Sequence, residues 1–287
     1  MGEIHNLPPW SESTLLLLGH GSTTNKQSRV PTENHAETIR KQGIFADVAV
    51  GFWKEEPYFS EVLDSISTEA IYVVPNFISE GYYTKEIIPR ELGMTGRVSY
   101  VQGKCLYYCD PVGAHHSMTK ALLRQVEEVL AGAVTAWSKM DLILVGHGTP
   151  RNLKSTEMIK KQVQLLDREQ KFASCQDAYM EEPPLISNWD QLTQADDVVV
   201  VPFFIADGLH SYEDIPEMMG LEEKIDETSF KLPAAIRGKK LWYARSIGNQ
   251  HEMISVILDL VREFDPQFPF CSSCPKPTND LSASDPR

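Results

Sequence analysis

Two histidines stand where their chemistry can be used. His147 sits between glycines in Gly146-His147-Gly148-Thr149, at the abrupt end of the apolar run Leu142 to Val145, and His210 follows 63 residues later, just ahead of Glu213 and Asp214. Two neutral imidazoles with carboxylates close by suit a divalent first-row metal of intermediate softness such as cobalt, iron or nickel. A histidine at a strand end is commonly hydrogen-bonded into a turn, so the weight of this pairing depends on the elements that carry it.

Leu142 to Val145 reads as a strand buried on both faces of a parallel sheet, with Gly146 and Gly148 turning the chain at its carboxyl end. His210 lies beyond a second such run, Val198 to Val201, which ends at Pro202. Open α/β sheets bind ligands outside the carboxyl ends of their strands, so both imidazoles are expected at one edge, facing one cleft. The pattern occurs twice. Thr14 to Leu18 leads into Gly19-His20-Gly21-Ser22, with His20 and His147 127 residues apart; Pro75 and Pro202 keep that spacing, as do Pro89 and Pro216. Glu55-Glu56-Pro57 matches Glu181-Glu182-Pro183 one residue out of step, and Pro111-Val112-Gly113 faces Ser246-Ile247-Gly248. Several anchors in one order at nearly one spacing indicate duplication. The position 127 before His210 is Tyr83, a phenol with an ordinary pKa near 10 and a poor ligand at neutral pH. The first half is therefore a degenerate copy of the site, and His35, on the first helix, is expected at the surface.

Apolar runs alternate with helical periodicity in each half, which predicts βαβ units. Strands are expected near 14–18, 47–52, 70–75 and 98–101, then near 141–145, 177–180, 197–203 and 240–244. Helices are expected near 32–42, 57–67, 85–92 and 117–131, then near 153–170, 187–193, 212–219 and 250–264. The fold class is α/β: two tandem similar domains, each a four-stranded parallel sheet flanked by helices, with a cleft between them. The halves are 1–135 and 136–265. Residues 266–287, rich in Pro, Ser and Asp, read as a flexible tail.

A chain of 287 residues that is 42% hydrophobic builds a proper core. The run Leu15 to Leu18 is far too short for a membrane span and its upstream residues lack a basic start, so a cytoplasmic protein is expected. A net charge of −13 argues against nucleic acid as a partner. Five cysteines in a chain of this length do not make a disulfide framework. Cys271-Ser272-Ser273-Cys274 has metal-ligand spacing but supplies half of a tetrahedral set.

The strand ending in Gly146-His147-Gly148-Thr149, followed by Val201-Pro202-Phe203-Phe204-Ile205, Gly208, His210 and Asp214-Ile215-Pro216, resembles the class II chelatases of the CbiX type. The resemblance covers nearly all of residues 14–264, twice over, and is to the double-length form. It implies a lyase that inserts cobalt, or in relatives iron or nickel, into sirohydrochlorin for cobalamin or other tetrapyrroles. The motif's metal-binding histidines fall on His147 and His210, and on His20 for the first of its own pair. Insertion needs a ligand set that releases the metal and a base that accepts pyrrole protons, roles open to a neutral imidazole and to Glu182. Sirohydrochlorin carries many carboxylates, for which Lys26, Arg29, Arg151 and Lys154 are candidate clamps. Some long members are similar in having a cysteine pair near the C-terminus that helps bind an iron–sulfur cluster; here Cys271 and Cys274 would need Cys105, Cys109, Cys175 or a second subunit. The fused halves suit a monomer or a homodimer. Siroheme ferrochelatase and a metal- or tetrapyrrole-binding protein without turnover are the alternatives. Histidine phosphatases, which also open on a strand ending in His-Gly, need an Arg before the histidine, where Gly19 and Gly146 stand.

Overall fold

The computed structural model describes residues 9–149, 153–221 and 233–264. In the first half, β1 (Ser13–Gly19), β2 (Asp47–Phe52), β3 (Ala70–Pro75), β4 (Val98–Val101) and β5 (Lys104–Tyr108) form a sheet of order β2-β1-β3-β5-β4. The second half repeats it: β6 (Met140–Gly146), β7 (Ser174–Tyr179), β8 (Asp197–Pro202), β9 (Ala234–Ile236) and β10 (Lys239–Tyr243) take the order β7-β6-β8-β10-β9. Each sheet thus has five strands, where four parallel ones were expected. The fifth is an antiparallel edge, β4 on β5 and β9 on β10. The expected strand at 98–101 is this edge, and the fourth parallel strand of the first half is 104–108. Both hairpins close on two residues of positive φ, Gln102-Gly103 (51° and 80°) and Arg237-Gly238 (50° and 76°). That geometry normally advertises itself by Asn or Asp before the glycine; Gln and Arg hide it.

The helices are α1 (Val30–Gln42), α2 (Ile88–Glu91), α3 (Met118–Val129), α4 (Leu153–Arg168), α5 (Trp189–Leu192), α6 (Ile215–Met219) and α7 (Met253–Arg262). The helix expected at 57–67 is reduced to a 3-10 turn, Val62–Ser65. Tyr58 first returns to bridge Phe52, and the Phe59 N–H donates to the Phe52 carbonyl at 3.1 Å, leaving too little chain for α-helix before β3.

The central strands are apolar without interruption because both of their faces are covered. Leu16, Leu18, Ile71 and Val73 pack outward against Val62, Leu63, Ile87 and Ile88. Leu15, Leu17, Tyr72 and Val74 point inward, into a core shared with Leu142, Leu144, Val199 and Val201 of the second sheet. Helices α3 and α7 fill this shared layer by exchange: α3 follows the first sheet yet packs on β8 and α4, while α7 follows the second and packs on β3 and α1. The Phe264 ring meets those of Tyr72 and Tyr107 edge-on at 6.5 and 5.8 Å. The sheets divide along the chain near residue 135, but the helices do not. Among the described residues, no helix is long and apolar enough to cross a membrane.

His35 corrects the sequence reading: it is 5% exposed, on the face of α1 that meets α7. Burial pushes its imidazole down to about 4, against a hydrogen bond to the Gly248 carbonyl that favours the charged form. Its Nδ1 is buried without a partner among the described residues. The 127-residue spacing puts Gln162 at the equivalent place, where its amide donates to the Gly113 carbonyl at 3.1 Å. Because the folded state resists protonating His35, the unfolded state binds more protons between about pH 6.5 and about pH 4. Stability is full above that window and falls through it, by up to about 1.4 kcal/mol per pH unit. His35→Gln is expected to flatten this slope in denaturant titrations run from pH 7 to pH 4.

Candidate functional site

His147 leaves β6 in a turn that only glycine accommodates. Gly148 has φ 70°, and a Cβ on it would lie 2.7 Å from the Tyr179 Cβ; one on Gly146 would lie 2.0 Å from the Ile159 Cδ1. The His147 Nδ1 is 2.9 Å from the carbonyl oxygen of Gly148. A carbonyl has no proton to give, so Nδ1 carries the hydrogen and Nε2 presents its lone pair. The same holds for His20, whose Nδ1 lies 2.9 Å from the Gly21 carbonyl.

His210 opens a π-helical turn, His210–Asp214, that runs straight into α6. The turn brings the Asp214 Oδ2 to 2.6 Å from the His210 Nδ1. A carboxylate on Nδ1 fixes the tautomer, leaves Nε2 as donor atom, and raises its basicity toward a metal. The His147 and His210 rings meet at 5.1 Å between centroids, nearly perpendicular. In the first half His20 and Tyr83 keep the same arrangement at 4.8 Å, with Phe77 beside Tyr83 as Phe204 is beside His210. The geometry is duplicated and the second imidazole is not. Residue 87, which matches Asp214, is the buried Ile87, so no carboxylate replaces it.

A cavity of about 640 Å³ runs between the halves. The loop from His20 to Asn25 lines it on one side and Phe204 to His210 on the other, with Asp214 and Lys54. His20 and His210 therefore share a cleft, and His147 flanks its His210 wall. Asp207, which sequence reasoning passed over, holds that wall in place. It is 5% exposed and accepts from the Ser246 N–H at 2.8 Å, the Arg245 Nε at 2.9 Å and the Asn249 Nδ2 at 2.9 Å. An acid five residues past β8 and three before a candidate ligand was the one signal the sequence offered, and it does not reveal the burial.

Glu182 stands beneath the His147 turn. Its Oε1 accepts from the Thr149 N–H at 3.3 Å and from the Thr156 hydroxyl. Glu55 does the same in the first half, accepting from the Ser22 N–H at 3.0 Å. The functional match is therefore Glu55 with Glu182, 127 apart, and not the shifted alignment of the Glu-Glu-Pro strings. Of the cations expected as clamps, Arg29 is bound by Glu33 and Glu55 at 2.8 and 3.1 Å and stacks on Phe52 at 4.8 Å. The Lys154 Nζ lies 3.8 Å from Glu80, and Lys26 is exposed beside the cleft loop. Arg151, Cys271 and Cys274 lie outside the described residues. Cys105 and Cys109 are buried. Burial pushes the Cys109 thiol well up and that of Cys175 to about 12, so these thiols sit in the core as apolar groups.

Comparison with known proteins places this geometry. A family model described as CbiX matches residues 14–129 and again 141–264. A probable sirohydrochlorin cobaltochelatase of Halobacterium salinarum is 36% identical over 263 residues, covering 85% of this chain and 89% of the relative. Among solved structures, a multi-domain protein of Deinococcus radiodurans with structural similarity to chelatases superposes with a TM-score of 0.77 at 26% identity. That match covers 91% of this chain, which spans 56% of the longer one. SirB from Bacillus subtilis with Fe3+ matches at 0.70 and 17% identity, over 88% of this chain and 95% of SirB.

Proposed function

The chain belongs to the CbiX family, once in each half, and on that premise we propose that it is a sirohydrochlorin chelatase whose working metal site is the pair His147 and His210. Cobalt is the metal we assign first, iron for siroheme the alternative. The observation that carries the reading is the orthogonal imidazole pair, each ring held through Nδ1 so that Nε2 remains for a metal, at the edge of a cleft between the halves.

Insertion exchanges two pyrrole N–H protons for one divalent ion. Two neutral imidazoles form an incomplete set that holds the ion and still releases it to four pyrrole nitrogens. His20, across the cleft with an Nε2 lone pair and no second imidazole, is assigned to accept one of the two displaced protons, the other passing to solvent. Glu182 acts through the turn that bears His147. Lys26, Lys54 and Lys154 are assigned to the carboxylates of the tetrapyrrole, while Arg29 serves the fold. Both walls of the cleft come from one chain, so a monomer suffices.

Purified protein given cobalt and sirohydrochlorin without oxygen is expected to accelerate the absorbance change of insertion over the free reaction, and more for cobalt than for iron or nickel. Tight metal binding with no acceleration would favour a binding protein without turnover. A faster reaction with iron would make it a ferrochelatase.

A further inference from the structure

Away from the cleft, where the start of α3 lies beside the end of α7, His115, His116 and Glu263 bring one ligand atom each within 4.8 Å of one another. His115 is 8% exposed, ahead of α3; Glu263 caps the end of α7 from the other half. The His115 Nε2 is 3.0 Å from the Glu263 Oε2, and its Nδ1 is 2.6 Å from the Ser117 hydroxyl and 3.3 Å from the Ser117 N–H. The His116 ring lies 4.3 Å from that of His115 and is exposed.

The molecule supplies its own control for what this corner requires. At the opposite corner Gln250, ahead of α7, donates to Glu128 on α3 at 2.9 Å and to Gln125 at 2.5 Å. His115 corresponds to Gln250, His116 to His251 and Glu263 to Glu128, all 135 residues apart. An amide and a carboxylate are enough to clamp one helix start to the other helix end. The first corner instead has two imidazoles and a carboxylate, the donor set that suits a borderline divalent ion.

We propose that His115, His116 and Glu263 form a second divalent-metal site, separate from the chelatase cleft, that staples α3 of the first half to α7 of the second. Ligand atoms about 2.0–2.2 Å from a first-row ion lie roughly 3 Å apart when adjacent, and His115 and Glu263 already stand at that distance. His116 completes the set by turning an exposed side chain. On binding, the His115 Nε2 gives up its contact with Glu263 for the ion, and its proton resides on Nδ1, where the Ser117 hydroxyl accepts it. The imidazole stays neutral, and the weaker contact from the Ser117 N–H lapses.

Zinc alone is the probe, on the full chain carrying His147→Ala, His210→Ala, Cys271→Ser and Cys274→Ser so that the cleft and the tail pair do not compete. This background is expected to bind one equivalent and to gain about 5 °C in Tm at a hundredfold excess of zinc over Kd. Adding His116→Ala and Glu263→Gln, both exposed positions, is expected to abolish the equivalent and the gain. The same two changes in the natural chain are expected to leave cobalt insertion unaltered, so loss of the staple and failure of the chelatase reading are told apart. Zinc stoichiometry and Tm gain unchanged by the two substitutions, or no zinc bound by the background, would overturn the site.

Discussion

Replacing either His147 or His210 by alanine is expected to bring cobalt insertion down by about 10²–10⁴-fold, close to the rate without protein. Each change removes one of two Nε2 donors from a pair whose rings lie 5.1 Å apart, and a single imidazole does not hold a divalent ion against water and buffer. The first half shows what the loss looks like in a natural context: His20 keeps its turn and its tautomer, but faces the phenol of Tyr83. Both histidines are about half exposed, so their removal costs little stability, and unchanged melting alongside lost insertion separates chemistry from folding. Asp214→Asn offers a graded control. It keeps a partner on the His210 Nδ1 but removes the charge, and the expected loss is about 10–100-fold in metal affinity or activity. Initial rates followed by absorbance, at several cobalt concentrations, divide the two effects: Asp214→Asn recovers with added metal, and the histidine variants do not. Retention of more than a tenth of the activity in both histidine variants would place the metal site elsewhere.

The candidate site was legible in the sequence because its parts are local. A glycine-bracketed histidine after an apolar run, and a histidine four residues before an aspartate, write their geometry into spacing, and the repeat showed which copy was intact. What stayed hidden is set by contacts distant along the chain. His35 has the context of a surface residue, and only the arrival of α7 on α1 buries it. Asp207 reads as an ordinary loop acid until Arg245, Ser246 and Asn249 converge on it from 38 to 42 residues away. Glu182 was a candidate from the sequence, but its hold on the His147 turn, through an amide 33 residues upstream, was not legible there. The edge strands escaped for a local reason, since Gln102 and Arg237 occupy turn positions where Asn or Asp would have signalled a hairpin. Periodicity announced helices at 117–131 and 250–264, but it does not say which sheet an apolar helix face will meet.

That exchange of helices carries the second large expectation: neither half is expected to fold alone. Fragments 1–135 and 136–287 made separately should each lack a cooperative melt, and should regain one when mixed. In the intact chain Met253, Ile254, Val256, Ile257, Leu260 and Val261 of α7 are buried, and the packing partners of that helix are β3 and α1 of the first half. At about 1.5–3 kcal/mol for each buried side chain, the exposed face alone removes as much stability as a whole domain usually has. Fragment 1–135 loses the reciprocal cover over Tyr72 and Tyr107 and leaves α3 without β8. Circular dichroism melts and size-exclusion of each fragment and of the mixture read this directly. A sharp, independent transition in 136–287 would refute it, and would mean that α7 can fold back on its own sheet. If the halves do depend on one another, the cleft they line has walls that cannot drift apart by hinge motion without breaking the shared core. The spacing between His20 on one wall and His210 on the other is then fixed by α3 and α7, and a tetrapyrrole must enter by loop movement at the strand ends and not by domain opening.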